Sequence, residues 1–130
     1  MPLKDALIAG LETVPQCETI CYIDMDSGLV LASHSRQHRP QEFYDKIASL
    51  ATRLMQSPSL ADRFDKLDDN NKIDDDDRNI FVFGQNRTHV FVKAKTFPNH
   101  AICYMCARSA ETQTLSDAVA KNRETIANAL

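Results

Sequence analysis

Apolar positions recur along the chain with two different periods. Three segments repeat them every three to four residues, as an amphipathic helix does: 3–14, 41–56 and 114–130. Five shorter apolar runs are rich in β-branched and aromatic residues, which is typical of strands: 20–23, 29–32, 79–83, 88–94 and 101–107. Pro2 opens the first helix and Pro15 ends it, while Pro40 and Pro58 bracket the second.

Turn-forming residues join four of the strands into two hairpins. The run from Asp24 to Gly28 holds turn formers and one glycine that can adopt a positive φ. The run from Gly84 to Arg87 forms the second turn. The element order α-β-β-α-β-β-β-α predicts an α+β domain with a five-stranded antiparallel sheet and helices on its faces. We expect residues 1–130 to form a single domain, because this length suits one hydrophobic core.

The third strand is apolar on both faces, because residues 80–83 are consecutive large hydrophobics. A strand with one face in water alternates instead. An apolar strand at a sheet edge has to be covered, and pairing with a second copy of the chain is the simplest cover. The sequence therefore predicts a homodimer in which this strand is covered by a second copy. On the strand, the predicted interface comprises Ile80, Phe81, Val82 and Phe83.

The acidic charge of the chain is concentrated in residues 62–78. This segment carries a net charge of −4, whereas the whole chain of 130 residues carries −3. A net negative charge argues against nucleic acid as a partner. No apolar run approaches the ~20 residues needed to cross a bilayer, and charges at Asp5 and Glu12 distinguish the N-terminus from a secretory signal. We therefore expect a cytoplasmic protein that does not insert into membranes.

The acidic segment could be a calcium-binding loop or a loop that is only solvated. In the best window, which begins at Asp68, Ile73 replaces the glycine of an EF-hand and Asn79 replaces its bidentate glutamate. We interpret 62–78 as a mobile acidic loop, and a short helical piece at 60–67 overlaps its start. Weak divalent-cation binding is the alternative.

The four cysteines have a spacing that also suits zinc. Cys103 and Cys106 form a Cys-x-x-Cys pair, and Cys17 and Cys21 could complete four thiolates. However, a strand would direct Cys103 and Cys106 to opposite faces of the sheet. Cys17 and Cys21 are separated by an even number of positions, so a regular strand would place both on one face. We therefore expect buried, reduced thiols, with no metal and no cofactor.

Sequence signatures of enzymes are lacking. The chain has no glycine-rich phosphate loop, G-x-S-x-G or H-E-x-x-H motif. We interpret Asp24 and Asp26 as turn residues and assign no catalytic residue. The stretch HSRQHR (34–39) precedes the second helix, and its Arg36 and Arg39 could face a partner or an anion, or simply be solvated.

The hairpin IDMDSGLVLA, the opening helix ending in GLETVP, and the closing strand and helix resemble the roadblock/dynein light chain family. The hairpin is similar to that family's D-x-x-G-x-x-L/V-A pattern, with either Asp24 or Asp26 as the aspartate, followed by Gly28, Val30, Leu31 and Ala32. The resemblance implies that the first and third helices lie on one face of the sheet and the second on the other. It also implies homodimers formed by the second helix and third strand. The apolar stripe of the second helix, Phe43, Ile47, Leu50 and Leu54, thereby joins residues 80–83 in the predicted interface.

The same resemblance implies a function without catalysis. Roadblock proteins bind and regulate small Ras-like GTPases or serve as scaffold subunits. We therefore expect an interaction module whose partners are a second copy of itself and a small GTPase. The alternative is a sensory module in which the same layered fold holds a small ligand or responds to thiol oxidation.

Overall fold

The computed structural model describes residues 2–56 and 79–130. Three helices and five strands lie within them. The helices are α1 (Pro2–Thr13), α2 (Gln41–Gln56) and α3 (Thr112–Asn128), and the strands are β1 (Cys17–Asp24), β2 (Leu29–Ser35), β3 (Asn79–Phe83), β4 (Arg87–Lys93) and β5 (His100–Ala107). The expected helix at 60–67 and the acidic loop at 62–78 lie outside the described residues.

The strands form one antiparallel sheet in the order β2-β1-β5-β4-β3. Both predicted hairpins are present, as β1 with β2 and β3 with β4. The centre of the sheet is the pairing of β1 with β5, which joins the first strand of the chain to the last. The structure thus confirms the α+β class, the element order and the five antiparallel strands.

Helices α1 and α3 cover one face of the sheet and enclose the larger core. Tyr22 and Tyr104 are its largest fully buried side chains. The Tyr104 hydroxyl donates to Asn122 Oδ1 at 2.7 Å, and Asn122 Nδ2 donates to the Ala6 carbonyl at 3.0 Å. This buried polar chain ties β5, α3 and α1 together, since an unpaired amide at this depth would be costly.

Gly10 is the point at which α1 approaches α3 and the sheet. A Cβ atom there would lie 2.5 Å from Ile20 Cδ1 and 2.8 Å from the Asn122 side chain. Glycine is therefore required by the close approach rather than by its backbone conformation.

Among the described helices, only α2 covers the opposite face. Its buried residues Ile47, Ala48 and Ala51 pack on a smaller core that includes Ile23 and Phe91. The two-and-one arrangement of helices agrees with the resemblance. No helix among residues 2–56 and 79–130 has the length and apolar character needed to cross a membrane.

Two local expectations are corrected by the structure. A β-bulge between Cys17 and Thr19 shifts the register, so Cys17 lies in the α1/α3-side core whereas Cys21 lies in the α2-side core. The two do not share a face. In addition, α3 begins at Thr112, two residues before the expected start at 114. Glu111 caps it by accepting from the backbone N–H groups of Gln113 and Thr114.

Candidate interaction surface

Helix α2 has a wider apolar arc than its packing on the sheet uses. Ala51 is fully buried, and Ile47 is only 4% exposed. Phe43 and Leu54 are half-buried, and Leu50 has 47% of its surface exposed. Because Phe43, Leu50 and Leu54 recur at helical spacing, they form an apolar stripe that the described part of the chain leaves open.

Strand β3 presents apolar side chains at the edge of the sheet. Ile80 packs against the α2-side core and Phe81 against the α1/α3-side core. Val82 and Phe83 are 38% and 50% exposed. Among the described strands, β3 has a neighbour only on its β4 side. Its outer edge therefore offers backbone hydrogen-bonding groups next to exposed hydrophobics.

The helix stripe and the strand edge border the same core. Phe43, Leu54 and Ile80 all pack against the α2-side core, and Val82 shares the face of Ile80 because side chains alternate along a strand. We call the following residues the α2/β3 surface: Phe43, Leu50, Leu54, Ile80 and Val82.

The other three predicted interface residues lie differently. Phe81 and Phe83 are on the opposite face of the β3 edge, where their rings stack 5.9 Å apart. The Arg108 guanidinium lies 4.7 Å from the centre of the Phe83 ring. Ile47 belongs to the intrachain core. The sequence could not separate these positions, because each fits the same apolar pattern.

The opposite edge of the sheet carries exposed hydrophobics that the sequence analysis did not single out. Leu29 and Leu31 on β2 are 55% and 52% exposed. The consecutive apolar residues at 29–32 have the same pattern as residues 80–83 and mark this second exposed edge.

The Arg36 side chain forms hydrogen bonds with two backbone carbonyls of the same chain. Its Nε donates to the Cys17 carbonyl at 3.0 Å, and its Nη2 donates to the Leu11 carbonyl at 2.6 Å. These bonds join the end of β2 to the last turn of α1 and the first residue of β1. Cationic groups suit the carbonyls at a helix C-terminus. Arg36 thus holds the α1–β1 connection, and its side chain is also exposed.

Arg39 is also engaged within the chain. Glu18 lies between two arginines, with its Oε2 at 2.7 Å from Arg87 Nε and 3.8 Å from an Arg39 nitrogen. The Arg39 guanidinium also lies 5.1 Å from the centre of the Phe43 ring. The Arg39 charge therefore lies beside Phe43, at the end of the α2/β3 surface where α2 begins. On β4, burial and the nearby Arg87 charge lower the pKa of His89.

The carboxylates of the first hairpin serve local structure. Asp24 accepts from the Asp26 backbone N–H at 3.0 Å and from the Ser27 hydroxyl at 3.0 Å. Asp26 accepts from the Asn99 side-chain amide at 2.8 Å, which ties the β1–β2 turn to the β4–β5 loop. Within residues 2–56 and 79–130, no three His, Cys, Asp or Glu side chains gather closely enough to hold a metal ion.

Comparison of the sequence with protein-family models and with curated proteins gives no match. Solved structures, in contrast, match along nearly the whole chain. A Roadblock/LC7 domain from Streptomyces avermitilis is 18% identical with a TM-score of 0.71, covering 97% of this chain and 95% of that one.

Two further structures share the architecture. The gliding protein MglB from Thermus thermophilus is 15% identical with a TM-score of 0.72, covering 98% of this chain and 87% of that one. MglC from Myxococcus xanthus is 8% identical with a TM-score of 0.64, covering 100% of both chains. The chain therefore has the Roadblock/LC7 fold, as the sequence resemblance implied.

Replacing Arg36 with alanine is expected to lower the stability of the fold. The change removes two charged hydrogen bonds to backbone carbonyls, a loss of about 2 kcal/mol. For a chain of this size the melting temperature is expected to fall by roughly 5–10 °C. His38→Ala, at an exposed neighbouring position, is the matched control and is expected to change it little. Equal melting temperatures for the two variants, measured by circular dichroism, would show that Arg36 has no structural role.

Proposed function

We propose that this chain is a non-enzymatic, cytoplasmic homodimeric module that binds and regulates a small Ras-like GTPase or acts as a scaffold subunit. The observation that carries the self-association is the α2/β3 surface, which joins an open apolar stripe to an unpaired strand edge in the described part of the chain. The GTPase partner rests on the family resemblance and on the shared fold.

In the proposed dimer, the β3 edges of two copies pair and their α2 helices lie side by side. Pairing satisfies the outer backbone groups of β3, and the helix contact removes Leu50 from water. Leu50 is 47% exposed in the single chain, so its burial is worth about half of the roughly 1.5–3 kcal/mol of a fully exposed large apolar side chain, and the dimer axis doubles every contact. Related oligomers occur on this fold, since one solved structure is named as MglB with a tetrameric arrangement.

The charged group beside this surface gives it a polar rim. Arg39 is partly exposed, with 25% of its side-chain surface accessible, and it lies next to Phe43 at the start of α2. We propose that this rim meets an acidic surface of the partner. Rim charges influence association rates and salt dependence more than final affinity.

Leu50→Asp is expected to convert the dimer into a folded monomer. The substitution places a charge in the proposed dry contact, and the wild-type side chain is already 47% exposed in the single chain, so the fold tolerates it. Light scattering coupled to size-exclusion chromatography measures the mass, and circular dichroism measures the fold.

The matched control for this experiment is Leu31→Asp on the β2 edge, where the wild-type leucine is 52% exposed. We expect this variant to remain dimeric. A wild-type monomer at micromolar concentration would contradict the proposed dimer. A dimer disrupted by Leu31→Asp but not by Leu50→Asp would show that the interface lies on the opposite edge.

Binding of a GTPase is expected to depend on the bound nucleotide, because Ras-like GTPases rearrange their switch segments on hydrolysis. Isothermal titration calorimetry with a purified small Ras-like GTPase from the same source compares its GDP form with its form bound to a non-hydrolysable GTP analogue. We expect the two affinities to differ by about tenfold or more. Arg39→Gln is expected to slow association at low salt, with exposed His38→Gln as control. No binding of either form by a verified dimer would refute the GTPase partner and leave the dimer standing.

A further inference from the structure

All four cysteines face one another in pairs across the central strands. Cys17 lies opposite Cys106, and Cys21 lies opposite Cys103, in the antiparallel pairing of β1 with β5. All four thiols are buried and free. The first pair belongs to the α1/α3-side core and the second to the α2-side core. The two pairs therefore lie on opposite faces of the same two strands.

The hydrogen bonds of the ladder distinguish the two pairs. Ala107 N donates to the carbonyl of Gln16 directly opposite, so the next pair inward, Cys17 with Cys106, occupies a non-hydrogen-bonded position. At the other end, Met25 N donates to the carbonyl of Asn99. Every second pair from there is hydrogen-bonded in an antiparallel ladder.

By this alternation the pair Cys21 with Cys103 occupies a hydrogen-bonded position. The Cα atoms of opposite residues are about 4.5 Å apart at non-hydrogen-bonded positions and about 5.5 Å apart at hydrogen-bonded ones. A disulfide needs Cβ atoms about 3.5–4.5 Å apart. Side chains approach more closely at the non-hydrogen-bonded position, which favours the pair of Cys17 and Cys106.

The position of this pair at the end of the sheet also favours access. Cys17 is the first residue of β1 and follows Gln16, the one non-glycine residue with a positive φ (54°) in the described segments. The β-bulge lies immediately after it. Strand ends open locally more easily than strand centres, and the pair Cys21 with Cys103 lies nearer the middle of both strands.

We propose that Cys17 and Cys106 are a site of reversible disulfide formation by exchange with a small disulfide such as oxidised glutathione. The thiolate of one cysteine attacks a glutathione sulfur and releases one glutathione thiolate. The second cysteine then attacks the protein sulfur of this mixed disulfide and releases the other. Two protein thiols and one oxidised glutathione thus give one protein disulfide and two glutathione thiols.

The surroundings make this exchange slow. The adjacent Cys106 thiol and burial both raise the pKa of the Cys17 thiol, so the reactive thiolate is scarce. Exchange therefore proceeds through opening of the sheet end. The resulting bond would join two strands that are already paired and would leave the α2/β3 surface unchanged. Oxidation is expected to stabilise the chain without altering the proposed dimer, and it does not depend on that dimer.

Disulfide mapping of the wild-type chain tests the proposal. The protein is equilibrated with oxidised glutathione, its free thiols are alkylated under denaturing conditions, and it is digested without reduction. Cleavage after Glu18 separates Cys17 from Cys21, and cleavage after Tyr104 separates Cys103 from Cys106. We expect the peptide with Cys17 to be linked to the peptide with Cys106, and the thiols of Cys21 and Cys103 to be alkylated. The melting temperature of the oxidised protein is expected to rise by roughly 10 °C.

Two double variants provide matched controls. The variant Cys21→Ala/Cys103→Ala keeps only the favoured pair and is expected to form the disulfide. The variant Cys17→Ala/Cys106→Ala keeps only the other pair and is expected to stay reduced under the same conditions. Equal oxidation of both variants, a wild-type link between Cys21 and Cys103, or glutathione adducts without an intrachain link would each overturn the proposal.

Discussion

The antiparallel pairing of β1 with β5 is the interaction on which the rest of the structure depends. It joins the first strand of the chain to the last and places them at the centre of the sheet. Because side chains alternate along a strand, this one pairing supplies both cores. Tyr22 and Tyr104 point to the α1/α3 side, while Ile23 and Cys103 point to the α2 side.

A sheet buried on both faces at its centre requires helices on both sides, and the three described helices cannot cover five strands evenly. Two helices share the larger core, linked through Asn122 and Tyr104. Within residues 2–56 and 79–130, α2 is the only helix on the other face, and its own flank and β3 stay partly exposed, as Leu50 and Val82 show. The proposed dimer follows from this unequal coverage, since a second copy would bury the surfaces that the described helices leave open.

Local patterns were sufficient to predict the elements, because each helix has an apolar stripe and each strand is a short apolar run bounded by turn formers. The helix 41–56 and both turns were located correctly from the sequence. Details that depend on tertiary contacts were not. Cys17 and Cys21 were expected on one face of the sheet, but a bulge adds a residue between them that no local pattern reveals, and they lie on opposite faces. Arg36 looked like a solvated charge because its partners, the carbonyls of Leu11 and Cys17, lie far away in sequence.

The candidate site was predicted only in part for a related reason. A run of consecutive hydrophobics indicates that both faces of a strand are apolar, but it does not say which neighbours cover them. Ile47 and Leu50 fit the same helical stripe, yet one is buried in the chain and the other is exposed. The strand order that makes β2 and β3 the edges depends on the long-range pairing of β1 with β5, which the periodicity of single elements cannot indicate.

Amide hydrogen exchange of β3, resolved by residue with NMR, tests the proposed pairing of two copies most directly. The N–H groups of an isolated edge strand alternate between paired and open, whereas those of a strand paired on both sides are all protected. We expect slow exchange at every amide of β3 and alternating fast exchange along β2. Alternating fast exchange along β3 in the wild-type protein at micromolar concentrations would contradict the proposed dimer.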